Sequence, residues 1–230
     1  MLRNNLIPLY LYTGHPLPRP ERLYDYVLTA QGIVKRVETP YVSADHLLAP
    51  IETNLIGLRL ATYRLQPLRF KLPRIPGRLL QEVLADARRN LALEYMYQVK
   101  FDPTTGCWTV TRPEQERSRI RVGYTALDPS GVVLDLHSHN TMPAFFSATD
   151  DSDEKGGRFY GVMGHLERAQ PELAVRLGLY GHWIPNVPAL TLFDHVDPFI
   201  EVYPDPSQPP AVVENLPPTG SWLTNLFNRR

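Results

Sequence analysis

The chain has 230 residues, which gives room for one domain of ordinary size and a smaller one, with enough interior to bury a core without disulfides. Its 24 Lys and Arg residues balance its 24 Asp and Glu residues, so its bulk charge predicts neither nucleic-acid binding nor attraction to an anionic membrane. Cys107 is the sole cysteine, which excludes an internal disulfide and fits a reducing cytoplasm. The apolar opening is short and contains Pro8, which does not indicate a signal peptide, and no run of residues approaches membrane-spanning length. We therefore expect a cytoplasmic protein that binds neither a membrane nor nucleic acid directly.

Residues 1–72 are predicted to form a small β-rich N-terminal domain. Residues 24–30 and 33–37 flank Gln31-Gly32, a pair that favours a hairpin turn, and residues 55–60 and 62–68 are further strand candidates. At the other end of the chain, residues 201–230 form a proline-rich tail, which we expect to be a linker or a wrapping extension.

Residues 73–200 are predicted to form the main domain, which mixes helix and strand. Residues 78–90 carry an apolar stripe at helical spacing, with charged residues on the opposite side. Strands are predicted after this helix, with a helical or turn segment at residues 167–173 before the last one. The predicted strands are residues 91–101, 107–111, 119–125, 132–139, 159–165 and 175–183.

Two histidines at the end of one predicted strand carry the sharpest chemical signal in the chain. Because side chains alternate along a strand, His137 and His139 face the same side, together with Asp135. Leu136 and Ser138 face the other side, so the strand can pack on a core while it offers paired ligands to a cleft. Asp135 is expected either to orient a ligand or to be a solvated carboxylate.

A carboxylate from the segment after this strand would complete a metal site. Ser147 begins a predicted helix that would bring Asp150 back to the two imidazoles, although Asp151 and Asp153 compete for the place of third ligand. Two neutral nitrogens and one carboxylate oxygen, with a fourth position open, are typical of a catalytic zinc site. The acidic run does not have the glycine and glutamate spacing of a calcium-binding EF-hand loop.

Hydrolysis at such a site also requires a general base and a donor for the oxyanion. Ser147 is a candidate donor, although a serine three residues before an aspartate is also a helix-capping pattern, and the two roles are compatible. The base would be one of the glutamates that precede the histidines. These candidates are Glu82, Glu94, Glu114 and Glu116.

The pattern His-x-His, seven residues, Ser, two residues, Asp, with a glutamate on an earlier strand, resembles the JAMM (MPN+) motif of the JAB metalloprotease family. This resemblance implies an α/β (α+β) fold, with a cytidine-deaminase-like sheet and flanking helices. It implies that His137, His139 and Asp150 ligate one catalytic zinc ion. Glu94, which directly follows the first helix, would be the general base, and Ser147 would hydrogen-bond the oxyanion.

The same resemblance implies a substrate class. The substrate would be the C-terminal tail of a ubiquitin-like protein or a conjugate of one, with E1-like and E2-like proteins as partners. Residues 70–195, and the stretch of residues 134–166 above all, are similar to the PRTRC-system branch of the family, which is bacterial and plasmid-associated. Two features depart from the family pattern: Asn140 stands where proline is common, and residues 95–97 replace a glycine-bearing segment. These departures leave the ligands intact and alter the walls of the cleft.

Three other classes of function remain open to test. A non-catalytic MPN scaffold normally lacks the ligands that this chain retains. A DNA-linked role in plasmid maintenance fits a plasmid-associated JAB protein, although the neutral charge speaks against direct DNA binding. An amidohydrolase also uses a His-x-His pair but needs a large barrel and further ligands.

Overall fold

The computed structural model describes residues 7–50, 58–89, 91–113, 115–117, 122–124 and 131–214. The described residues fall into two compact units. The first comprises residues up to Leu72 together with those from Val212 onward, and the second extends from Pro73 to Ala211. No helix in these ranges is long and apolar enough to cross a membrane.

The first unit is a mixed sheet with the strand order β1-β2-β3-β4-β5. Its strands are β1 Leu9–Leu11, β2 Tyr24–Thr29, β3 Gly32–Glu38, β4 Val42–Pro50 and β5 Arg69–Phe70. The predicted hairpin is confirmed as β2 and β3, which pair antiparallel. Its turn requires glycine, because Gly32 has a φ of 138° and a Cβ there would collide with the carbonyl oxygen of Ala49.

The strand predicted at residues 62–68 is wrong, since residues 62–67 form no strand and Leu68 makes only an isolated bridge. Residues 58–60 form no strand either, and residues 55–57 of that prediction lie outside the described residues. Strands β1 and β4 were not predicted.

Side chains satisfy the backbone of this segment in place of a strand ladder. The main-chain N–H of Tyr63 donates to Oε1 of Gln31 at 2.7 Å, and that of Gln66 donates to Oδ2 of Asp45 at 2.9 Å. These two backbone donors therefore have acceptors without a neighbouring strand.

In the part of the second unit that the structure describes, two α-helices accompany a larger sheet. The predicted first helix is confirmed as α1, although it ends at Ala87, three residues earlier than predicted. Helix α1 is Gly77–Ala87. The elements that follow it are β6 Met96–Asp102, β7 Cys107–Thr111, β8 Gln115–Arg117, β9 Val122–Tyr124, β10 Val132–Ser138, α2 Ala148–Asp153, β11 Phe159–Gly164, β12 Glu172–Gly178, β13 Trp183–Ile184, a 3₁₀ turn Ala189–Thr191 and β14 Ile200–Glu201.

Several predicted bounds in this unit shift. The strand predicted from residue 91 begins at Met96, and the strand predicted at residues 119–125 contains β9, with its other residues outside the described part. The segment predicted as helix or turn before the last strand is a turn, and β12 already begins at Glu172. The strand predicted at residues 175–183 divides into β12 and β13, because Tyr180 and Gly181 adopt positive φ and turn the chain between them.

The order of strands in the larger sheet is β13-β12-β11-β10-β6-β7, with β14 beside β12. β10 and β11 are parallel, whereas β10 pairs antiparallel with β6 and β11 with β12. A parallel pair needs a crossover connection, and here the crossover contains α2. A mixed sheet with few helices confirms the predicted α+β class and the β-rich N-terminal region.

The two helices cover opposite faces of this sheet. Tyr97 lies opposite Leu136, and its hydroxyl donates to Oδ2 of Asp86 on α1 at 2.9 Å, so α1 covers the face of these two residues. The next residue of β10, His137, points to the other face, where it approaches Asp150 of α2. The crossover therefore brings α2 over the face that carries the histidines.

The described part of the proline-rich tail lies partly on the second unit. Asn186 is 2 % exposed, and its side-chain amide donates to the carbonyl oxygens of Asp205 and Gln208 at 2.6 and 2.7 Å. One buried amide therefore fixes this extended segment through its backbone.

Candidate metal centre

Strand β10 and its neighbour β6 set the positions of the histidines and of Glu94. His137 is opposite Met96, and beyond that pair Ser138 N–H donates to the carbonyl of Tyr95 at 3.0 Å. Continuing this antiparallel register places Glu94 opposite His139, and residues opposite each other in a sheet share a face. The register thus brings Glu94 to the face of both imidazoles, although it lies far from them in sequence.

The three predicted ligands come together. Nε2 of His137 is 3.2 Å from Nε2 of His139 and 3.5 Å from Oδ1 of Asp150, and the three ligand atoms lie within 4.8 Å of one another. Two atoms bound to one tetrahedral zinc ion are about 3.3 Å apart, given bond lengths near 2 Å. The two shortest separations therefore match the spacing of zinc ligands.

The chemical state of the histidines also fits a cation. Both histidines are 5 % exposed, and burial lowers the pKa of both rings, which favours the neutral form that binds metal. Nδ1 of His139 is 3.3 Å from the carbonyl oxygen of Pro143, which places the ring proton on Nδ1 and leaves the lone pair on Nε2. A divalent cation bound to Nε2 of His139 would stabilise the lone pair of this nitrogen, which lies 3.2 Å from Nε2 of His137.

Asp150 is oriented by the start of its own helix. Ser147 caps α2, and both its main-chain N–H and its hydroxyl donate to Oδ2 of Asp150, at 2.6 and 2.7 Å. Burial by itself would raise the pKa of Asp150, but the two histidines and the bonds from Ser147 outweigh it and hold the pKa below its usual value. The carboxylate is thus ionised, with Oδ2 occupied and Oδ1 turned to His137.

Among the four candidate bases, Glu94 has the environment of a proton carrier. It is 4 % exposed, and burial together with the negative charge of Asp150 raises its pKa to about 7. Glu82 lies instead on the exposed surface of α1, where it pairs with Arg78 at 3.4 Å. Glu114 and the side chain of Glu116 lie outside the described residues.

The loop after His139 forms one wall of the site. Asn140 has a φ of 50°, and its Oδ1 accepts a hydrogen bond from Oγ of Ser138 at 3.1 Å. Proline cannot take this φ, so the departure from the family pattern at this position comes with a different backbone conformation. Phe145 is 39 % exposed and meets His139 edge-on, with ring centroids 4.7 Å apart. An aromatic side chain therefore stands beside the metal ligands.

Asp135 is not a solvated carboxylate, which was one of its two predicted environments. It is 3 % exposed, accepts a hydrogen bond from Nε2 of Gln98 at 3.2 Å, and pairs with Arg158 at 3.3 Å. Its contacts thus join β10 to Gln98 of β6 on one side and to Arg158, which precedes β11, on the other.

Two buried charged residues beside the site were not predicted from the sequence. Glu154 follows α2 directly, and Arg176 lies on β12 and pairs with it at 2.7 Å. Burial raises the pKa of Glu154 to about 8, and the charge of Arg176 opposes that rise. An arginine within the otherwise apolar run Ala174-Val175-Arg176-Leu177 is the one sequence signal that points to this pair, since a buried charge needs a partner.

A mixed sheet with a helix on each face, and a His-x-His pair that meets an aspartate from the crossover helix, define the second unit as a JAB-type α+β domain. Residues 78–178 match the family model described as prokaryotic homologs of the JAB domain. This match supports the predicted resemblance to the JAB family over the second unit. The matched range extends from α1 to β12 and includes Glu94, the three metal-ligand candidates and Ser147. No curated protein sequence matches the chain.

Proposed function

We propose that this JAB domain is a zinc-dependent hydrolase of amide or isopeptide bonds. The observation that carries the proposal is the cluster of His137, His139 and Asp150, whose ligand atoms lie within 4.8 Å of one another, with Glu94 on the same face of the sheet. A zinc ion held by three protein ligands activates water and polarises a carbonyl group.

Glu94 is the proton carrier in this proposal. Its carboxylate accepts a proton from the attacking water and then donates it to the leaving amine. A pKa of about 7 suits both steps, because the group can hold and release a proton at neutral pH.

Ser147 combines two tasks. Its hydroxyl donates to Asp150 at 2.7 Å, and it has to turn from that bond to the substrate oxygen in order to stabilise an oxyanion. The main-chain N–H of Ser147 donates to the same carboxylate oxygen at 2.6 Å, so Asp150 stays oriented when the hydroxyl turns away.

The proposed substrate is the C-terminal tail of a ubiquitin-like protein or a conjugate formed through that tail, with E1-like and E2-like proteins as partners. Each imidazole is only 5 % exposed, so a slender extended chain with small residues reaches the ligands more readily than a bulky one does. Phe145 offers an apolar surface beside His139 for the residues next to the scissile bond.

The test begins with the metal content of the purified protein, for which we expect one zinc ion per chain. The zinc-loaded protein is then incubated with a panel of ubiquitin-like proteins, each as a linear fusion and as a lysine conjugate. Matched substrates carry either two glycines or two leucines before the scissile bond. We expect cleavage of the glycine series, loss of cleavage after zinc chelation, and its return when zinc is restored.

Zinc binding without cleavage of any panel member would contradict the proposal. If the same protein then bound DNA in a salt-dependent manner, the DNA-linked function would replace it.

A further inference from the structure

Helix α2 supplies the third metal-ligand candidate but has no buried residue of its own. Polar contacts from Arg176 hold its C-terminal end. Nη1 of Arg176 donates to Oδ1 of Asp151 at 2.6 Å, while Nε and Nη2 both donate to Oε2 of Glu154, at 2.9 and 2.7 Å. One guanidinium thus ties both the helix and the residue that follows it to β12.

The guanidinium and Glu154 are themselves held in place. Arg176 is 5 % exposed and lies over the ring of Phe146, with its Cζ atom 4.0 Å from the ring centroid, and 4.9 Å from that of Trp183. Nε1 of Trp183 donates to the main-chain carbonyl of Glu154 at 3.1 Å. Glu154 is therefore fixed through both its backbone and its side chain.

Because both bonds from Arg176 to Glu154 end on Oε2, the other oxygen is turned elsewhere. Oε1 of Glu154 is 4.0 Å from Nδ1 of His137, while Nε2 of the same ring faces Oδ1 of Asp150 at 3.5 Å. The imidazole of His137 thus lies between two carboxylates, one at each ring nitrogen. A movement of about 1 Å by either side chain brings Nδ1 and Oε1 within hydrogen-bond distance.

A histidine that binds metal through Nε2 keeps its proton on Nδ1, and that proton needs an acceptor. For His139 the acceptor is the carbonyl of Pro143. We propose that Glu154, held by Arg176, is the corresponding acceptor for His137 and fixes the tautomer with which His137 binds zinc. Glu154 is then a positioning residue of the metal centre. This inference rests on the proposed function, since it assumes that the site binds zinc.

Glu154→Gln is the decisive variant. Arg176 directs two N–H donors at Oε2, so the glutamine side chain turns its carbonyl oxygen to Arg176 and its NH₂ group to His137. A donor that faces Nδ1 favours the tautomer with its proton on Nε2, which cannot bind zinc through Nε2. Asp153→Asn is the matched control, because it makes the same carboxyl-to-amide change at the exposed end of α2.

Zinc affinity is measured by competition with a chromophoric chelator, without reference to activity. We expect Glu154→Gln to bind zinc about 10- to 100-fold more weakly than the wild type, and Asp153→Asn to bind as the wild type does. Equal affinity of Glu154→Gln and the wild type would overturn the inference and leave the proposed function intact. A wild type that binds no zinc would overturn both.

A second measurement needs no variant and so does not depend on how well Glu154→Gln folds. In the zinc-loaded wild type, we expect proton NMR to show a downfield, slowly exchanging Nδ1 proton on His137, as a hydrogen bond to a buried carboxylate produces. A rapidly exchanging Nδ1 proton would refute the assignment of Glu154 as its acceptor.

Discussion

Ser147 and Asp150 are joined by three hydrogen bonds, and two of them end on the same carboxylate oxygen, Oδ2. The arrangement is a helix cap whose acidic member is also a metal-ligand candidate, because Oδ1 of the same carboxylate faces His137. Helix capping and ligand orientation are therefore accomplished by one pair of residues.

Replacement of Ser147 by alanine should separate the two proposed tasks of this residue. The variant loses two of the three bonds but keeps the one from the main-chain N–H, so we expect a loss of about 1 kcal/mol in helix capping and a zinc affinity about fivefold weaker. If the hydroxyl also serves the oxyanion, kcat should fall by a further 10²- to 10³-fold. Chelator competition and cleavage rates at saturating zinc measure the two effects, with the exposed Ser152→Ala as control. A fall in affinity with no fall in kcat at saturating zinc would leave Ser147 with the capping role alone.

Glu94→Gln should retain one zinc ion and lose cleavage, since glutamine is nearly isosteric but cannot carry the proton. We expect kcat/KM to fall by about 10²- to 10⁴-fold. Metal analysis and cleavage assays on the same preparation check both halves. Glu82→Gln is the matched control, because that glutamate lies on the exposed surface of α1, and it should cleave normally. Normal cleavage by Glu94→Gln would refute its assignment as the base.

Restoring the proline that is common in the family, by Asn140→Pro, should damage this protein. Asn140 has a φ of 50°, which proline cannot adopt, and proline also restricts the backbone of the preceding His139. We expect a loss of at least about 1–3 kcal/mol in the free energy of unfolding, together with weaker zinc binding. Asn140→Gly permits the same φ and should keep zinc binding close to that of the wild type. Denaturant unfolding and chelator competition distinguish the two variants, and equal behaviour of both would show that the left-handed conformation is not required.

Lys35 makes the stability of the first unit depend on pH. It is fully buried, with its ammonium nitrogen 4.0 Å from the ring centroid of Tyr24, and burial lowers its pKa from 10.5 to about 8. Below pH 8 both the folded and the unfolded state carry the charge, and burial of that charge costs the folded state its full penalty. Between pH 8 and 10.5 the folded state releases the proton while the unfolded state keeps it, so the free energy of unfolding rises with pH.

Lys35→Met removes this dependence. We expect the variant to be more stable than the wild type at pH 7. Between pH 7 and pH 10.5 the free energy of unfolding of the wild type should rise by roughly 3 kcal/mol relative to that of the variant, because one pKa unit corresponds to about 1.4 kcal/mol. Urea unfolding followed by hydrogen exchange of peptides from β2 and β3 reports on the first unit. The exposed Lys155→Met should show no such change. A difference that is constant with pH would contradict the shifted pKa.

The parts of the site that the sequence predicted depend on local spacing. His137 and His139 share a face because they are two residues apart on a strand, and Asp150 is bound to Ser147 within a single helix turn. Glu94 requires the register of two strands in addition, which its place after α1 made predictable. Arg176 and Glu154 are 22 residues apart on different elements, and no spacing rule connects them.

The fold shows the same division. The hairpin of β2 and β3 and the apolar stripe of α1 follow from patterns of a few residues, and both were predicted. The segment at residues 62–67 has the composition of a strand, yet the N–H groups of Tyr63 and Gln66 donate to the side chains of Gln31 and Asp45. Tertiary hydrogen bonds of this kind override local propensity and are not visible in the segment itself.

The lack of any buried residue in α2 links metal binding to the local stability of that helix. A helix of six residues is too short to be stable by itself, so the contacts of Ser147 and Arg176, together with the proposed metal ion, must supply most of its stability. If the proposed zinc ion binds here, part of its binding free energy orders the helix that carries Asp150. Removal of the metal should therefore speed amide hydrogen exchange in α2 while the neighbouring strands stay protected. The helix would then fold and unfold locally according to whether the metal is bound.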